Sequence, residues 1–334
     1  MIKTPKFWNN SGVISTLLLP LSGLWSLAGA IRSVFAQPSR AELPVICIGN
    51  LTVGGTGKTP VVAYIYDWCV AAGYAPVILS RGYGGSVAKP LWVDPQLHDS
   101  SICGDEPLML ADGRDVLVAH DRVAGARAIS ARGLHDLILM DDGLQNPFLK
   151  KDLKIGVFDG TVGIGNGRVM PAGPLRTTLR QGLADLDLAL INGEDETGLK
   201  PTILHRLPLV QATLRPDRAV IDGLGDVPLL AFAGIGRPER FFVTVRQSGG
   251  NLVKWLAFAD HHAYSQHDLT KLQEDAGRLG AQLITTQKDW VRLPTEWRER
   301  ISFLPVTVEV EDEAGLTEAI TAAIITWRRA TDNG

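Results

Sequence analysis

A glycine-rich loop lies between the first predicted strand and the first predicted helix. Residues 52–59 read T-V-G-G-T-G-K-T, which fits the phosphate-loop pattern G-x-x-x-x-G-K-[ST] except at Thr52. Glycines let successive backbone N–H groups surround phosphate oxygens, and the N-terminus of the next helix adds partial positive charge. Lys58 is expected to reach the β- and γ-phosphates, and the Thr59 hydroxyl to ligate Mg²⁺. The residues predicted to bind the nucleotide are Thr52, Val53, Gly54, Gly55, Thr56, Gly57, Lys58 and Thr59.

A pair of acids follows another apolar run. Residues 137–140 are predicted to form a buried strand, and Asp141 and Asp142 come directly after it. Buried carboxylates are rare unless they are paired or bind a metal. The pair therefore predicts the magnesium-organising acids that a phosphate loop needs, with helix N-capping by Asp142 as the alternative. Gln145 follows closely enough to orient a nearby group.

Two loops have the composition and placement of ligand-binding segments. Residues 81–85 (R-G-Y-G-G) follow the second predicted strand, at the edge where α/β proteins place ligand loops. Arg81 and Tyr83 are therefore predicted to contact a substrate. Residues 165–176 form a long stretch without predicted structure, and such loops in compact domains are usually functional.

Acid–base chemistry is suggested at two further places in the chain. Asp105 and Glu106 directly precede a predicted helix, where N-capping of that helix is the alternative to a catalytic role. Residues 260–262 read D-H-H at the end of a later strand. This grouping resembles a histidine base, His261, oriented by a carboxylate.

The elements that must position these residues alternate between strand and helix. This alternation predicts a parallel sheet covered on both faces. Predicted strands of the first unit are 43–49, 76–79, 115–118, 137–140, 155–158 and 186–191, with helices at 59–72 and 122–132. Predicted strands of the second unit are 229–233, 253–258, 283–286 and 304–309, with helices at 268–279 and 313–328.

The N-terminal segment is different in character. Residues 7–31 contain no charge, and serines at 11, 15, 22, 26 and 33 fall on one helical stripe. The opposite face is apolar, which predicts an amphipathic helix attached to a membrane, at its interface or as a single span. The basic residues that could reach anionic headgroups are Lys3, Lys6, Arg32 and Arg40. A secretory signal peptide ending near residues 28–30, and a helix packed on the protein's own core, are the alternatives.

These observations predict an α/β protein: a P-loop NTPase-type parallel sheet domain, a second smaller α/β domain and an N-terminal membrane-associating helix. The expected divisions are 1–41 for the membrane-associating segment, 42–200 for the P-loop domain and 201–334 for a second domain that contributes to the active-site cleft.

Composition narrows the class of protein. The 334 residues are 45% hydrophobic and 21% charged, with a formal net charge of −3, which excludes a disordered, collagen-like or polytopic membrane protein. The balance of charges gives no reason to expect nucleic acid as a partner, and no feature identifies a protein partner. Cys47, Cys69 and Cys103 include no C-x-x-C pair, so buried thiols in a reducing compartment are expected.

Together the motifs resemble one family, the tetraacyldisaccharide 4′-kinases of lipid A assembly. The motifs occur in the order T-V-G-G-T-G-K-T-P, S-R-G-Y-G-G, G-D-E-P, D-D-G-L-Q, G-N-G…P-A-G-P-L-R, G-I-G-R-P-E-R-F and F-x-D-H-H-x-Y. The resemblance implies ATP-dependent phosphorylation of the 4′-hydroxyl of a tetraacylated glucosamine disaccharide 1-phosphate. It also implies ATP and Mg²⁺ as cofactors, a lipid A precursor and a membrane surface as partners, and a location on the cytoplasmic face of the bacterial inner membrane.

The same resemblance assigns roles to individual positions. Asp105 matches the catalytic aspartate that takes or orients the hydroxyl proton, His261 matches the histidine that supports it, and Lys58 matches the loop lysine. The implied metal group is Thr59, Asp141, Asp142 and Glu106, and the implied substrate group is Arg81, Tyr83, Arg122, Gln145 and Arg176. Val162 and Gln287 depart from the family pattern, where an arginine and a glutamate are expected.

Two other functions use the same kind of loop. A regulatory GTPase would need an N/T-K-x-D segment for guanine, whereas residues 286–289 read T-Q-K-D, with lysine one place too late. A kinase or ligase for a soluble small molecule would have no use for the apolar N-terminal helix. A glycine turn without a ligand is the structural alternative for residues 52–59.

Overall fold

The computed structural model of the protein describes residues 5–332, so Lys3, predicted to contact headgroups, lies outside the described residues. The fold is mixed α/β with two sheets. The strands are β1 (Val45–Gly49), β2 (Pro76–Ser80), β3 (Leu91–Trp92), β4 (Val116–Val118), β5 (Leu137–Asp141), β6 (Leu153–Asp159), β7 (Leu188–Asn192), β8 (Leu209–Pro216), β9 (Leu229–Ala233), β10 (Leu252–Ala257), β11 (Gln282–Thr286), β12 (Ser302–Leu304) and β13 (Val306–Val310).

The helices surround these sheets and also form the N-terminal segment, where a 3₁₀ turn at Lys6–Trp8 comes first. The α-helices are α1 (Val13–Leu17), α2 (Leu19–Phe35), α3 (Lys58–Ala71), α4 (Ser100–Cys103), α5 (Asp105–Leu110), α6 (Arg122–Arg132), α7 (Leu179–Ala184), α8 (Leu199–Leu204), α9 (Arg218–Leu224), α10 (Pro238–Gln247), α11 (Gln266–Leu279), α12 (Gln287–Trp290), α13 (Thr295–Arg298) and α14 (Glu313–Asp332).

The large sheet has nine strands in the order β13-β8-β7-β6-β1-β5-β2-β4-β3. Its inner strands are parallel, and only the edge strands β3 and β13 pair antiparallel. Helices α3 and α14 pack on one face, and α6, α7 and α8 on the other, so the predicted covering of both faces is confirmed. Ile48 of β1 lies in register with Asp141 of β5. The glycine-rich loop and the acid pair therefore emerge side by side at one edge.

The small sheet has four parallel strands in the order β10-β9-β11-β12. Its two faces are covered by α10 and α11, which bury Phe242 and Leu272 against it. We call residues 217–305, which form this sheet and its helices, the small unit, and the nine-stranded sheet with its helices the large unit.

The small unit differs from the predicted second domain at 201–334. β8, β13 and α14 all belong to the large unit, so the chain enters the small unit after β8 and returns at β13. The single strand predicted at 304–309 is wrong, because it divides at Pro305. Proline has no N–H to donate to a ladder, and the strands on either side of it join different sheets.

The N-terminal helices turn their serine stripe toward the protein. Ser15 and Ser22 are buried, and the Ser22 hydroxyl donates to the Val169 carbonyl oxygen at 2.7 Å and accepts the Ala172 N–H at 3.2 Å. Arg168 donates to the Ser15 hydroxyl at 3.0 Å. The helix is therefore seated through polar contacts on the loop that precedes α7.

The apolar face of α1 and α2 points away from the protein. Leu17 is 74% exposed, Leu24 62% and Phe35 80%. The helix does lie against the protein, as the alternative of packing on its own core expects, but the serine face makes that contact and the apolar face does not. The predicted helix is also divided at Leu18, because Pro20 lies in the first turn of α2. Within residues 5–332, none of the helices combines the length and apolarity needed to cross a bilayer.

Replacing Ser22 with alanine is expected to loosen this helix. The change leaves the Ala172 N–H buried without a partner and removes one of the two donors to the Val169 carbonyl, at a cost of about 1–3 kcal/mol. Hydrogen–deuterium exchange of the amides of α2 measures the free energy of its opening. Ser33→Ala removes an exposed hydroxyl of the same helix and should change this free energy little. Equal exchange in both variants would contradict the conclusion that Ser22 holds α2 against the loop before α7.

Candidate active site

The glycine-rich loop connects β1 to α3 and leaves several backbone donors unpaired. The N–H groups of residues 54–57 donate to no acceptor within residues 5–332. A Cβ atom added at Gly54 or Gly55 would meet nothing within 4 Å, so these positions face open space. Unpaired N–H groups in succession, followed by a helix N-terminus, form an anion-binding concavity.

The two ends of this loop are held by neighbouring segments. Thr52 and Val53, both predicted to bind the nucleotide, pair with the loop before α7. The Val53 N–H donates to the Pro174 carbonyl at 2.8 Å, so it is not available to a phosphate. At the other end, Asn192 donates to the Thr56 carbonyl at 2.7 Å. Gly57 has φ +79° and lies so close to Asn192 that a Cβ would approach it to 2.6 Å, which explains the glycine.

Lys58 and Thr59 begin α3 directly after the loop. The Lys58 Nζ lies 3.8 Å from Asp142 Oδ1, across the gap between the ends of β1 and β5. Since the Lys58 side chain is only 10% exposed, its ammonium group is directed into the site. The structure thus brings together the loop lysine and the acid pair, as the sequence predicts.

The two acids at the end of β5 have different environments. Asp141 is buried and accepts a hydrogen bond from the Ser80 hydroxyl at 3.1 Å. Burial, together with the negative charges of Glu106 and Asp142, raises the pKa of Asp141 to about 7. Asp142 has φ +49°, and does not cap a helix. Burial favours its neutral form, but the charges of Lys58 and Arg176 outweigh this and lower the pKa of Asp142.

The acid pair has unused ligand atoms. Oδ1 of Asp141 and Oδ1 of Asp142 are buried and have no hydrogen-bond partner among the described residues. Mg²⁺ is commonly held by one or two carboxylates together with substrate phosphates and water, so these oxygens fit that ion. In the described part of the chain, no three His, Cys, Asp or Glu side chains are grouped to hold a metal by themselves. Glu106, predicted as a metal ligand, instead accepts a hydrogen bond from Lys288 Nζ at 3.1 Å.

Asp105 and His261 meet across the two units. His261 Nδ1 lies 2.7 Å from Asp105 Oδ2, although the residues are 156 positions apart in the chain. Asp105 is the first residue of α5, but its side chain faces His261 and does not cap that helix. Arg292 Nε donates to the same carboxylate oxygen at 2.7 Å. Burial favours the neutral form, but these two donors outweigh it and lower the pKa of Asp105.

The loop containing Arg81 and Tyr83 packs beside Asp105. A Cβ at Gly85 would lie 2.4 Å from the Ile102 carbonyl, and one at Gly104 would lie 2.6 Å from the Tyr83 carbonyl. The glycines therefore allow two backbone segments to touch directly before Asp105. Arg81 and Tyr83 remain exposed, as residues that contact an incoming substrate should be.

Arg176 and Gln145 connect the acid pair to the glycine-rich loop. Arg176 donates to Asp142 Oδ2 at 3.1 Å and to Gln145 Oε1 at 3.0 Å. Gln145 in turn donates to the Asn50 carbonyl at 3.0 Å. The Trp25 indole of α2 donates to the Arg176 carbonyl at 3.2 Å, so the N-terminal helix lies one hydrogen bond from the site.

Arg122, predicted to belong to the substrate group, is enclosed by the protein. Its side chain is buried, and its guanidinium donates to the Ala119 carbonyl. Burial lowers its pKa to about 10, although the nearby Asp141 carboxylate acts against that shift. Arg122 therefore lies inside the protein near the acid pair.

Several residues at the site are absent from the sequence-based prediction. Arg237 and Arg240 of the small unit bond to Asp159 at the end of β6, and Arg237 also donates to the Gly55 carbonyl at 3.3 Å. Both arginines belong to the G-I-G-R-P-E-R-F motif, which could have identified them as site residues. Lys288 lies in residues 286–289, the segment compared above with the guanine-binding motif of GTPases. Arg292 belongs to no motif of the sequence.

The two departures from the family pattern lie outside these contacts. Val162 is 40% exposed in the loop after β6. Gln287 is the first residue of α12 and precedes Lys288. The three cysteines are free and buried, as expected.

Comparison with known proteins agrees with this arrangement. The family model for tetraacyldisaccharide-1-P 4′-kinase matches residues 14–325. A tetraacyldisaccharide 4′-kinase from Rhodospirillum centenum is 43% identical over 316 residues, covering 93% of this chain and 94% of the relative. Another from Methylobacterium nodulans is 43% identical over 330 residues, covering 97% and 96%.

A solved structure shares the fold. LpxK from Aquifex aeolicus, crystallised in complex with ATP, aligns with a TM-score of 0.76 at 25% identity, over 93% of this chain and 100% of that one. The match of the family model over most of the chain, together with relatives above 40% identity along nearly their whole lengths, settles the assignment. The chain belongs to the tetraacyldisaccharide-1-P 4′-kinase family.

Proposed function

We propose that the protein transfers the γ-phosphoryl group of ATP to the 4′-hydroxyl of a tetraacylated glucosamine disaccharide 1-phosphate, a late step of lipid A biosynthesis. The observation that supports this most directly is the Asp105–His261 contact of 2.7 Å, formed across the cleft from the loop that presents Lys58. A proton acceptor and a phosphate-binding loop on one unit, with the acceptor held by a histidine of the other, are a suitable arrangement for a hydroxyl kinase.

The glycine-rich loop serves in this proposal as a P-loop of the NTPase type. The free N–H groups of residues 54–57 bind phosphate oxygens, and Lys58 neutralises charge on the γ-phosphate. A cavity of about 440 Å³ lies past Asn192, on the side of the loop away from the acid pair. Its polar lining, which includes Gln211, Thr213 and Glu311, offers a place for the nucleoside.

The acid pair and Thr59 fit a magnesium ion bound together with the nucleotide. Asp141 Oδ1 and Asp142 Oδ1, which accept no hydrogen bond from the described residues, are the proposed ligand atoms, and the Thr59 hydroxyl follows the lysine as the P-loop pattern requires. When bound, Mg²⁺ supplies charge neutralisation at the phosphates. Lys58 and Arg176 hold Asp142 ionised, which keeps it able to act as a ligand.

Asp105 acts as the base in the proposed reaction. Its carboxylate accepts the proton of the 4′-hydroxyl while the sugar oxygen forms a bond to the γ-phosphorus. The bond between that phosphorus and the β,γ-bridging oxygen breaks, and ADP leaves. His261 donates its Nδ1–H to Asp105 and so fixes the carboxylate in place across the cleft.

A membrane surface is the proposed place of reaction, on the cytoplasmic face of the bacterial inner membrane. The outward apolar face of α1 and α2 has no partner among the described residues, and such a face suits the headgroup–acyl boundary. Lys6, Arg32 and Arg40 add positive charge along this segment. Confinement of enzyme and lipid to one surface raises their effective concentration.

The direct test is a phosphorylation assay. Purified protein is incubated with ATP, Mg²⁺ and the tetraacyl disaccharide 1-phosphate, and the lipid is analysed by mass spectrometry. We expect one added phosphate, at the 4′ position. No added phosphate with an intact, ATP-binding protein would overturn the proposed substrate.

Two charges placed on the outward face should release the protein from membranes. In the Leu17→Glu/Leu24→Glu double variant, both substituted positions are solvent-exposed, and the buried Ser15 and Ser22 that hold the helices to the protein are unchanged. Loss of two leucines from the interface removes about 3 kcal/mol of apolar burial, roughly a hundredfold in partitioning. Sedimentation with vesicles containing anionic lipid, after a high-salt wash, measures the change.

Matched exposed leucines provide the control for this prediction. Leu97 and Leu134 are 75% and 62% exposed and lie in the large unit, away from the helix. The Leu97→Glu/Leu134→Glu protein should sediment like wild type. Activity of the Leu17→Glu/Leu24→Glu protein should fall on lipid in bilayers more than on detergent-dispersed lipid. Full membrane retention of that protein would exclude this face as the attachment site.

A further inference from the structure

Arg292 occupies the contact between the two units and is nearly enclosed. Its side chain is 5% exposed. It follows α12 of the small unit, and its Nε donates to Asp105 Oδ2 of the large unit at 2.7 Å. Its Nη1 donates to the Gly234 carbonyl and to Asp289 Oδ1, both at 3.0 Å. The guanidinium group therefore bridges two carboxylates that belong to different units.

Asp289 anchors the far side of this guanidinium. The residue is fully buried and accepts three hydrogen bonds besides that of Arg292. They come from the Gly234 N–H at 3.0 Å, the Tyr264 hydroxyl at 2.9 Å and the Thr286 hydroxyl at 2.6 Å. Because these donors fix the Asp289 carboxylate, they also fix the guanidinium plane that reaches Asp105.

The donors to Asp105 converge on one of its two oxygens. Oδ2 accepts from Arg292 Nε and from His261 Nδ1, each at 2.7 Å. Oδ1 has no donor among residues 5–332. Since His261 Nδ1 must hold a proton to bond an ionised carboxylate, the 3.2 Å approach of Arg292 Nη2 to that nitrogen is packing and not a second hydrogen bond.

We infer that Arg292 is a positioning residue for phosphoryl transfer, which turns Oδ1 of Asp105 toward the acceptor hydroxyl by holding Oδ2. The inference rests on the proposed role of Asp105 as the base. Rotation of the carboxylate would break two charge-assisted hydrogen bonds, the strongest kind at this site. Arg292 itself takes no proton, because a guanidinium keeps its charge; the hydroxyl proton moves to Oδ1 alone.

Lysine cannot replace arginine in this role. The guanidinium donates in a rigid fork to Asp105 on one side and Asp289 on the other, whereas an ammonium is a single point of charge on a flexible stem. Arg292→Lys therefore keeps the positive charge between the two buried carboxylates and loses the orientation. This makes it a test of positioning rather than of charge.

A mutant cycle with Asp105 tests the inference. Arg292→Lys is expected to lower kcat by about tenfold or more, part of the roughly 10²–10⁴-fold that acid–base catalysis contributes, with KM for ATP nearly unchanged. In the Asp105→Asn background the same change should have no further effect on kcat, because residues that act as a unit are not additive. Arg114→Lys is the matched control, since the Arg114 guanidinium donates to both oxygens of Asp67, in the large unit and away from this contact.

A second measurement does not depend on the substrate. In protein labelled with ¹⁵N-histidine, the Nδ1–H of His261 should give a downfield proton signal that is absent from Asp105→Asn. The signal should broaden or vanish in Arg292→Lys and persist in Arg114→Lys. A kcat loss that multiplies in the Asp105→Asn background, or a His261 signal unchanged in Arg292→Lys, would overturn the inference. Absence of lipid phosphorylation by the wild-type protein would instead refute the proposed function, and the histidine signal would still decide whether Arg292 holds the Asp105 carboxylate in place.

Discussion

Lys58→Ala is expected to abolish lipid phosphorylation, with a loss of at least about a thousandfold in kcat. The Lys58 ammonium group lies 3.8 Å from Asp142, and the remaining loop positions offer only neutral N–H groups and hydroxyls to the phosphates. Without it, the charge that develops on the transferred phosphoryl group would face Asp141 and Asp142 with less compensation. Turnover is measured by mass spectrometry of the lipid product.

The fold should survive this substitution. Lys58 contributes no buried apolar surface to the core clusters, so the thermal unfolding midpoint should change little. Lys271→Ala removes an exposed lysine from α11 of the small unit and serves as the control, with activity like wild type. Turnover of Lys58→Ala at the wild-type rate would mean that residues 52–59 are a glycine turn and not a phosphate site.

The acid pair and its loop could be predicted from sequence because their placement follows from local patterns. Two apolar runs of strand length end at Gly49 and at Asp141–Asp142, and parallel neighbours bring such ends to one edge of a sheet. The observed register of Ile48 with Asp141 is that arrangement. No long-range information was needed beyond the expectation that the strands are parallel.

The boundary between the units could not be read in the same way. β8 and β13 are the last two strands at one edge of the large sheet, and an insertion of about ninety residues separates them in the chain. Their antiparallel register, which sets Val310 opposite Ala212, joins residues far apart in the chain, and no local pattern predicts it. A continuous rhythm of strands and helices after residue 201 therefore indicated one unit, where the chain forms parts of two.

The orientation of the N-terminal helix also could not be predicted from the sequence. The helical wheel separated the serines from the leucines, but it did not decide which face meets the protein. That decision depends on Val169 and Ala172, whose backbone carbonyl and N–H both bond the Ser22 hydroxyl. Arg292 was missed for a related reason, because its partners Asp105 and Asp289 become neighbours only when the units meet.

Asp105→Asn is expected to lower kcat by about 10²–10⁴-fold while ATP binds as in the wild type. The amide keeps the size of the side chain but cannot take the proton of the acceptor hydroxyl. Asp105 makes no contact with the glycine-rich loop among the described residues, so nucleotide affinity should not change. Steady-state kinetics on the lipid give kcat, and equilibrium titration with a fluorescent ATP analogue gives the affinity.

Substitution of His261 tests whether Asp105 and His261 act together or independently. His261→Ala should lower kcat less than Asp105→Asn, because the Arg292 donor to Asp105 Oδ2 remains. The double variant should be hardly slower than Asp105→Asn alone, since His261 acts through the carboxylate that is already lost. His262→Ala changes the adjacent histidine, which bonds Asp268 instead of Asp105, and is the matched control with activity near wild type. Losses that multiply in the double variant would show that His261 has its own contact with substrate or phosphate and does not serve Asp105.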